Sequence, residues 1–145
     1  MSADIRKAEQ NDTKALRGLM AELSGHDISP DETMNRLQFI EASKVDSLFV
    51  REEDGQIVGL LGFRIRENLE ETSKYGEVSA IVVGPDDRRK GIGRLMMNYA
   101  EKLAKELGCI GTWLVSGFGK EEEFHDFYRQ LGYQINGYRF VKPFK

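Results

Sequence analysis

Apolar positions along the chain change period several times, and each change marks an element. Residues 3–7 read as a short first strand. Asn11-Asp12-Thr13 then offers cap residues before Leu16, Leu19, Met20 and Leu23, which recur at helical spacing. Ser29-Pro30-Asp31-Glu32 combines a capping box with proline at the first helical position, and Met34, Leu37 and Ile40 follow on one face. Two helices are therefore expected, joined by a loop through Gly25-His26-Asp27.

Strand-like runs come next. Leu48-Phe49-Val50 and Ile57 to Ile65 flank Glu53-Asp54-Gly55-Gln56, where Asp-Gly suits the positive backbone dihedrals of a tight hairpin. A charged loop from Asn68 to Ser73 leads to a fourth strand, Gly76 to Val83, which Gly84-Pro85-Asp86 ends. From Ile92 onward Leu95, Met96, Tyr99, Ala100, Leu103 and Leu107 return to helical spacing, and Gly108 closes that helix. Thr112 to Val115 reads as a short buried strand, and residues 120–131 as a helix with Phe124, Phe127 and Leu131 on one face. Two last strands, 133–136 and 138–142, are expected to meet at Asn136-Gly137. The order β-α-α-β-β-β-α-β-α-β-β points to an α/β or α+β domain with four helices.

Length changes this picture little. The 145 residues suit a single domain, 1–145, without repeats or linkers. Residues 1–13 are polar with no signal-like apolar stretch, and no run approaches the ~20 apolar residues of a membrane span. The lone cysteine, Cys109, precludes an internal disulfide, and with two histidines it makes a metal site improbable. A cytoplasmic protein is the expectation. The net charge of −3 argues against nucleic acid as a partner.

Chemistry concentrates in Arg88-Arg89-Lys90-Gly91-Ile92-Gly93, between a strand and a helix. Two glycines let the backbone curl so that several amides share one concavity, and the helix start adds its positive dipole end. With Arg94, four cations surround it, which suits a diphosphate with an outlying phosphate better than one phosphate. No Gly-Lys-Ser/Thr follows, as a triphosphate loop requires, and the third glycine of a dinucleotide fingerprint is missing.

Arg88, Gly91 and Gly93 fit Arg/Gln-x-x-Gly-x-Gly/Ala, and Phe127-Tyr128-Arg129-Gln130-Leu131-Gly132-Tyr133 fits a Phe-Tyr-x-x-x-Gly-Phe/Tyr ending of the last helix. With both motifs in this order, the chain resembles the GNAT superfamily of acyl-CoA-dependent N-acyltransferases over nearly its whole length. The resemblance implies a mixed, mostly antiparallel sheet splayed between its fourth and fifth strands, with acetyl-CoA in the splay. It implies that the backbone near Ile81, Val82 and Val83 bulges and holds the thioester, while Ile92 and the glycines meet the pyrophosphate and Arg88, Arg89, Lys90 and Arg94 its oxygens. It implies Tyr128 as the acid that protonates the departing thiolate, and Glu77 as the base for the amine. Glu121 stands where the family often has asparagine, so Ser116-Gly117-Phe118-Gly119 is the substitute contact to the pantetheine arm.

A small-amine acceptor is expected, and the last third also resembles aminoalkylphosphonate N-acetyltransferases. Arg64 and Arg66 could take an acidic group, whereas Glu67, Glu70, Glu71 and Glu77 favour polycationic amines. His26 and His125 are further candidates to line the acceptor site. Family habit implies a homodimer. Rival readings are a non-catalytic acyl-CoA sensor and an acetyltransferase of protein lysines or N-termini.

Overall fold

The computed structural model describes residues 3–116 and 121–144. Five strands, β1 (Ala3–Lys7), β2 (Asp46–Glu53), β3 (Gln56–Glu67), β4 (Lys74–Val83) and β5 (Thr112–Leu114), form one sheet in the order of the chain. β1 to β4 are antiparallel neighbours and β5 joins β4 in parallel. Four helices, α1 (Thr13–Ser24), α2 (Pro30–Ala42), α3 (Ile92–Glu106) and α4 (Glu121–Gln130), complete the mixed α/β architecture.

Strand alternation divides the core in two. Phe49, Leu61, Phe63 and Val78 pack against Ile92, Met96, Met97 and Ala100 of α3, while Val50, Leu60 and Val82 pack against Leu16, Leu19 and Leu37 of α1 and α2. Each such side chain contributes about 1.5–3 kcal/mol by leaving water, so a slip of one residue in β2 or β3 would exchange the two faces. Close approach of α3 depends on Gly76, where a Cβ would lie 2.7 Å from the Phe63 ring and 3.1 Å from Ala104.

Local signals act as expected at several ends. The Ser29 hydroxyl accepts from the Glu32 amide at 3.0 Å and caps α2. Asp54 and Gly55 both have positive φ, 50° and 81°, which turns β2 into β3. Before α1, the buried Asp12 carboxylate accepts from the Glu9 amide at 2.7 Å and from Arg6 at 2.8 and 3.0 Å, which locks β1 to the first turn of helix.

The two expected C-terminal strands are not formed. Residues 133–144 carry no strand assignment, and neither Asn136 nor Gly137 has the positive φ that a tight two-residue hairpin requires. A lone hairpin is at best marginally stable in water, and this segment has no packed face to support it. The expected helix from 120 begins at Glu121 among the described residues, and Cys109 is partly buried against the α3 core.

Candidate active site

The sheet opens between β4 and β5. Only Gly76, Glu77 and Val78 of β4 have partners on β5, namely Thr112, Trp113 and Leu114. Beyond them, Ser79 to Val83 has no β5 partner among the described residues, so one edge of β4 lies bare along the opening. The Gly84 amide donates to Val58 on β3 at 2.9 Å, and by strand alternation the Val82 backbone also faces β3. The amides of Ile81 and Val83 therefore face the opening, and the Val83 carbonyl accepts a long contact from Arg88 Nε at 3.4 Å.

This sharpens one expectation and corrects another. Of the three backbone positions expected to hold the thioester, Ile81 and Val83 present donors to the opening and Val82 does not. The register shift lies at Ser79, where Gly62 pairs with Ala80 and Phe63 with Val78. Val82 and Val83 are in regular pairing with Leu60 and Gly59. The donors arise from the missing β5 partner rather than from a bulge.

Beyond the end of β4, the chain enters the glycine loop through a short 3-10 turn, Pro85–Asp87. Gly91 caps α3 at φ 80°, and Arg89 is also left-handed at φ 66°. The first intrahelical bond runs from the Leu95 amide to the Gly91 carbonyl, which leaves the amides of Ile92, Gly93 and Arg94 as unpaired donors of a helix start. The cations are arranged less evenly than expected. Arg88 reaches Glu22 of α1 at 3.2 Å and Lys90 reaches Asp87 at 3.5 Å, whereas Arg89 and Arg94 have no ion pair among the described residues. A Cβ on Gly93 would lie 3.4 Å from Phe127, so α4 packs on the first turn of α3.

That packing positions Tyr128. Its ring meets Phe127 edge-on at 5.1 Å and Tyr133 at 6.2 Å, in the α3 core. Burial pushes its phenol above the ordinary value, so it holds its proton across the neutral range. The hydroxyl makes no hydrogen bond among the described residues.

Glu77 comes from the other face. Cross-strand pairing sets Asp46, Arg64, Glu77 and Trp113 in one row over β2, β3, β4 and β5. Arg64 Nε donates to Asp46 at 2.6 Å, and its Nη1 lies 3.8 Å from Glu77 Oε1. Arg66 lies 3.7 Å from the same oxygen, with its guanidinium 5.9 Å from the Trp113 ring centre. The Glu77 side chain is only 14% exposed, and its Oε1 is buried and accepts no hydrogen bond from the described residues. A buried carboxylate oxygen without a donor is a costly arrangement, and an ammonium or a polarised water would relieve it.

Glu77 and Tyr128 thus approach from opposite faces of a sheet that is open between β4 and β5. An acyl group lying in the opening would have a carboxylate on one side and a phenol on the other. His125, on α4, is partly buried, and His26 is exposed in the α1–α2 loop. No hydrogen bond or ion pair among the described residues brings either to Glu77. The contact expected from 117–119 lies outside the described residues, as does the Glu121 side chain. Asp46, Trp113 and Glu22 were missed in the sequence, because each acquires its role through a distant strand or helix. The register of Arg64 against its two neighbouring strands is the signal that finds Asp46.

The features that meet here are helix-start amides, two arginines without an ion pair among the described residues, bare β4 amides, and a carboxylate and a phenol on opposite faces of the sheet. Comparisons with known proteins give them a family context. A model of the acetyltransferase (GNAT) family matches residues 14–133. The chain is 26% identical over 141 residues to an aminoalkylphosphonate N-acetyltransferase of Salmonella typhimurium, covering 96% of this chain and 90% of that one. A GNAT family acetyltransferase from Staphylococcus aureus superposes with a TM-score of 0.84 at 25% identity, over 99% of each chain. A transcriptional regulator from Bacillus halodurans shares the fold, with a TM-score of 0.89 at 22% identity over 99% of this chain and 100% of that one. The chain belongs to the GNAT acetyltransferase family.

Proposed function

We propose that this acetyltransferase moves an acetyl group to the primary amine of a small molecule that carries an acidic group, by direct attack in a ternary complex. Acetyl-CoA, when bound, supplies the activated thioester. The chain's own residues do the rest. Ile92, Gly93, Arg89 and Arg94 hold the pyrophosphate, with Gly91 shaping the loop and Arg88 and Lys90 adding positive charge. The Ile81 and Val83 amides align the acyl arm and stabilise negative charge on the carbonyl oxygen. Glu77 takes a proton from the ammonium of the acceptor, because only about one alkylamine in a thousand is neutral at pH 7. Tyr128 gives its proton to the departing sulfur and regains one through solvent as the new amide nitrogen sheds its second proton.

The observation that carries the catalytic reading is the orphaned Oε1 of Glu77 beside the opening. The acidic group of the acceptor is argued from Arg66, whose side chain is 51% exposed and whose one ion-pair partner among the described residues is Glu77. Arg64 and Arg66 balance Asp46 and Glu77, so a positive charge is left to meet a phosphonate or carboxylate once Glu77 has taken the proton of the ammonium, which suits such an acceptor better than a polyamine. The Salmonella relative is named for a substrate class of this kind. We place the enzyme in the cytoplasm, as a homodimer without nucleic acid.

Thiol release from acetyl-CoA over aminoalkylphosphonates, amino acids, polyamines, aminoglycosides and a lysine peptide tests the proposal. Aminoalkylphosphonates are expected to give the highest kcat/KM, with Arg66→Ala raising their KM at least tenfold. A preference for polyamines or aminoglycosides would overturn the acidic-acceptor reading. A preference for the lysine peptide would overturn the small-molecule reading. Acetyl-CoA binding without turnover on any amine would point to a sensor instead.

A further inference from the structure

Two guanidiniums flank Glu77, and neither donates to it. Arg64 Nη1 lies 3.8 Å and Arg66 Nε 3.7 Å from Oε1, which is buried and accepts no hydrogen bond from the described residues. A guanidinium so close to a carboxylate ordinarily closes the gap, because a shift of about 1 Å turns the contact into a charge-assisted hydrogen bond. Each must therefore be held back.

For Arg64 the restraint is Asp46. Its Oδ1 accepts from Arg64 Nε at 2.6 Å, and its side chain is as little exposed as that of Glu77. Asp46 is itself fixed just beyond the end of α2. Its amide donates to the Ser43 hydroxyl oxygen at 2.9 Å, and that hydroxyl donates to Asp46 Oδ2 at 3.3 Å. The Arg64 guanidinium is pushed above its ordinary range chiefly by the hydrogen bond to Asp46, against burial, and least by the Glu77 charge. Arg64 thus stands between two carboxylates and belongs to one of them. Arg66 is held more loosely, 5.9 Å from the Trp113 ring centre, and is 51% exposed against 38% for Arg64, so water screens its charge more.

The chemistry of a base makes this difference matter. Oε1 takes a proton only through a lone pair that no donor occupies, and a guanidinium bonded to it would stabilise the charged carboxylate and weaken it as a base. We infer that Asp46 is a positioning residue for acetyl transfer: by holding Arg64 Nε it keeps that guanidinium out of hydrogen-bond reach of Glu77 and leaves Oε1 open to the acceptor's ammonium. The inference rests on the reading of Glu77 as the base. Around that carboxylate β3 sets the charges of Arg64 and Arg66, β2 sets Asp46 behind Arg64, and β5 sets the uncharged Trp113 ring beside it.

Asp46→Ala releases Arg64 onto Glu77. With 2-aminoethylphosphonate as acceptor, kcat is expected to fall about tenfold, and the acidic limb of its pH profile to move to lower pH, since Glu77 would then shed its proton more readily and take one up less readily. Adding Arg64→Ala should recover most of the lost kcat and return the limb, a non-additivity that a merely structural Asp46 would not produce. A crystal structure of Asp46→Ala reads the geometry without any acceptor, and Arg64 is expected within ~3 Å of Oε1. An Arg64 that stays in place, an unmoved limb, or additive losses in the double variant would overturn the inference. Asp46→Asn keeps the contact with Ser43 and replaces the alanine variant if that one does not fold, with the same changes expected at smaller size. Glu77→Gln tests the reading beneath. Full kcat in that variant would remove Glu77 as the base, whereas loss of turnover there beside an unmoved limb in Asp46→Ala would sink the role of Asp46 alone. Should the unaltered enzyme leave 2-aminoethylphosphonate untouched, that substrate is refuted and the crystal structure decides about Asp46.

Discussion

Removing one oxygen atom separates the two roles open to Tyr128, packing and proton donation. Tyr128→Phe keeps the ring against Phe127 and Tyr133, so acetyl-CoA affinity should be unchanged while turnover falls about 10²- to 10⁴-fold. Unchanged turnover in a thiol-release assay would leave Tyr128 a packing residue only. Asp12 allows a second test, on stability. Its hydrogen bonds from Arg6 hold the carboxyl below the ordinary range, against the opposing effect of burial. A lowered pKa stabilises the fold above the unfolded value near ~3.8 and loses that contribution as pH falls below it. Asp12→Asn should therefore cost about 2 kcal/mol near neutrality and almost nothing near pH ~2. Urea titrations of both proteins at the two pH values would reveal it, and an equal gap at both would detach the effect from ionisation. Tyr128 and Glu77 could be named as candidates from the sequence because a short motif and a fixed spacing carry the resemblance. Asp46, Trp113 and Glu22 were not, because their contacts depend on which residues face each other across strands or between helices.

At the scale of elements, the decisive joint is the entry to α3. Gly91 stands at φ 80° with nothing within 4 Å of where a Cβ would be, so a side chain meets strain and no clash. Gly91→Val should thus cost only about 1–2 kcal/mol of stability, yet abolish calorimetrically detectable acetyl-CoA binding, because the loop amides no longer converge. Normal binding by a folded variant would refute the loop assignment. Gly76 is the opposite case. Its missing Cβ is the space that the Phe63 ring and Ala104 occupy, so Gly76→Ala should lower the melting temperature with little effect on the loop. The periodic elements from β1 to α3 were readable because each has an amphipathic pattern and its own start and stop residues. The two last strands misled for the same reason: their alternation is real, but a strand needs a partner, and periodicity does not say whether one is at hand.

Across the whole molecule, Tyr133 links parts that the opening would otherwise separate. Its hydroxyl joins Thr112 at the start of β5 and Glu101 on α3, while its backbone closes α4. Burial, and then the nearby Glu101 charge, push this phenol up to about 12. A raised pKa stabilises the fold fully below the unfolded value near ~10 and loses that contribution as pH climbs through the folded one. Tyr133→Phe removes both hydrogen bonds at a cost of about 1–2 kcal/mol, or about 3–7 °C in Tm for a chain of this size. The difference between the two proteins should be constant from pH ~7 to ~9 and close between pH ~10 and ~12. Thermal melts of the pair through that window measure it, and a gap that persists at the highest pH would mean that packing, not the protonated hydroxyl, ties the two sides of the opening together. If the hydroxyl is the tie, the variant should also raise KM for acetyl-CoA more than it lowers kcat, since the splay that receives the acyl arm would no longer be held at one width.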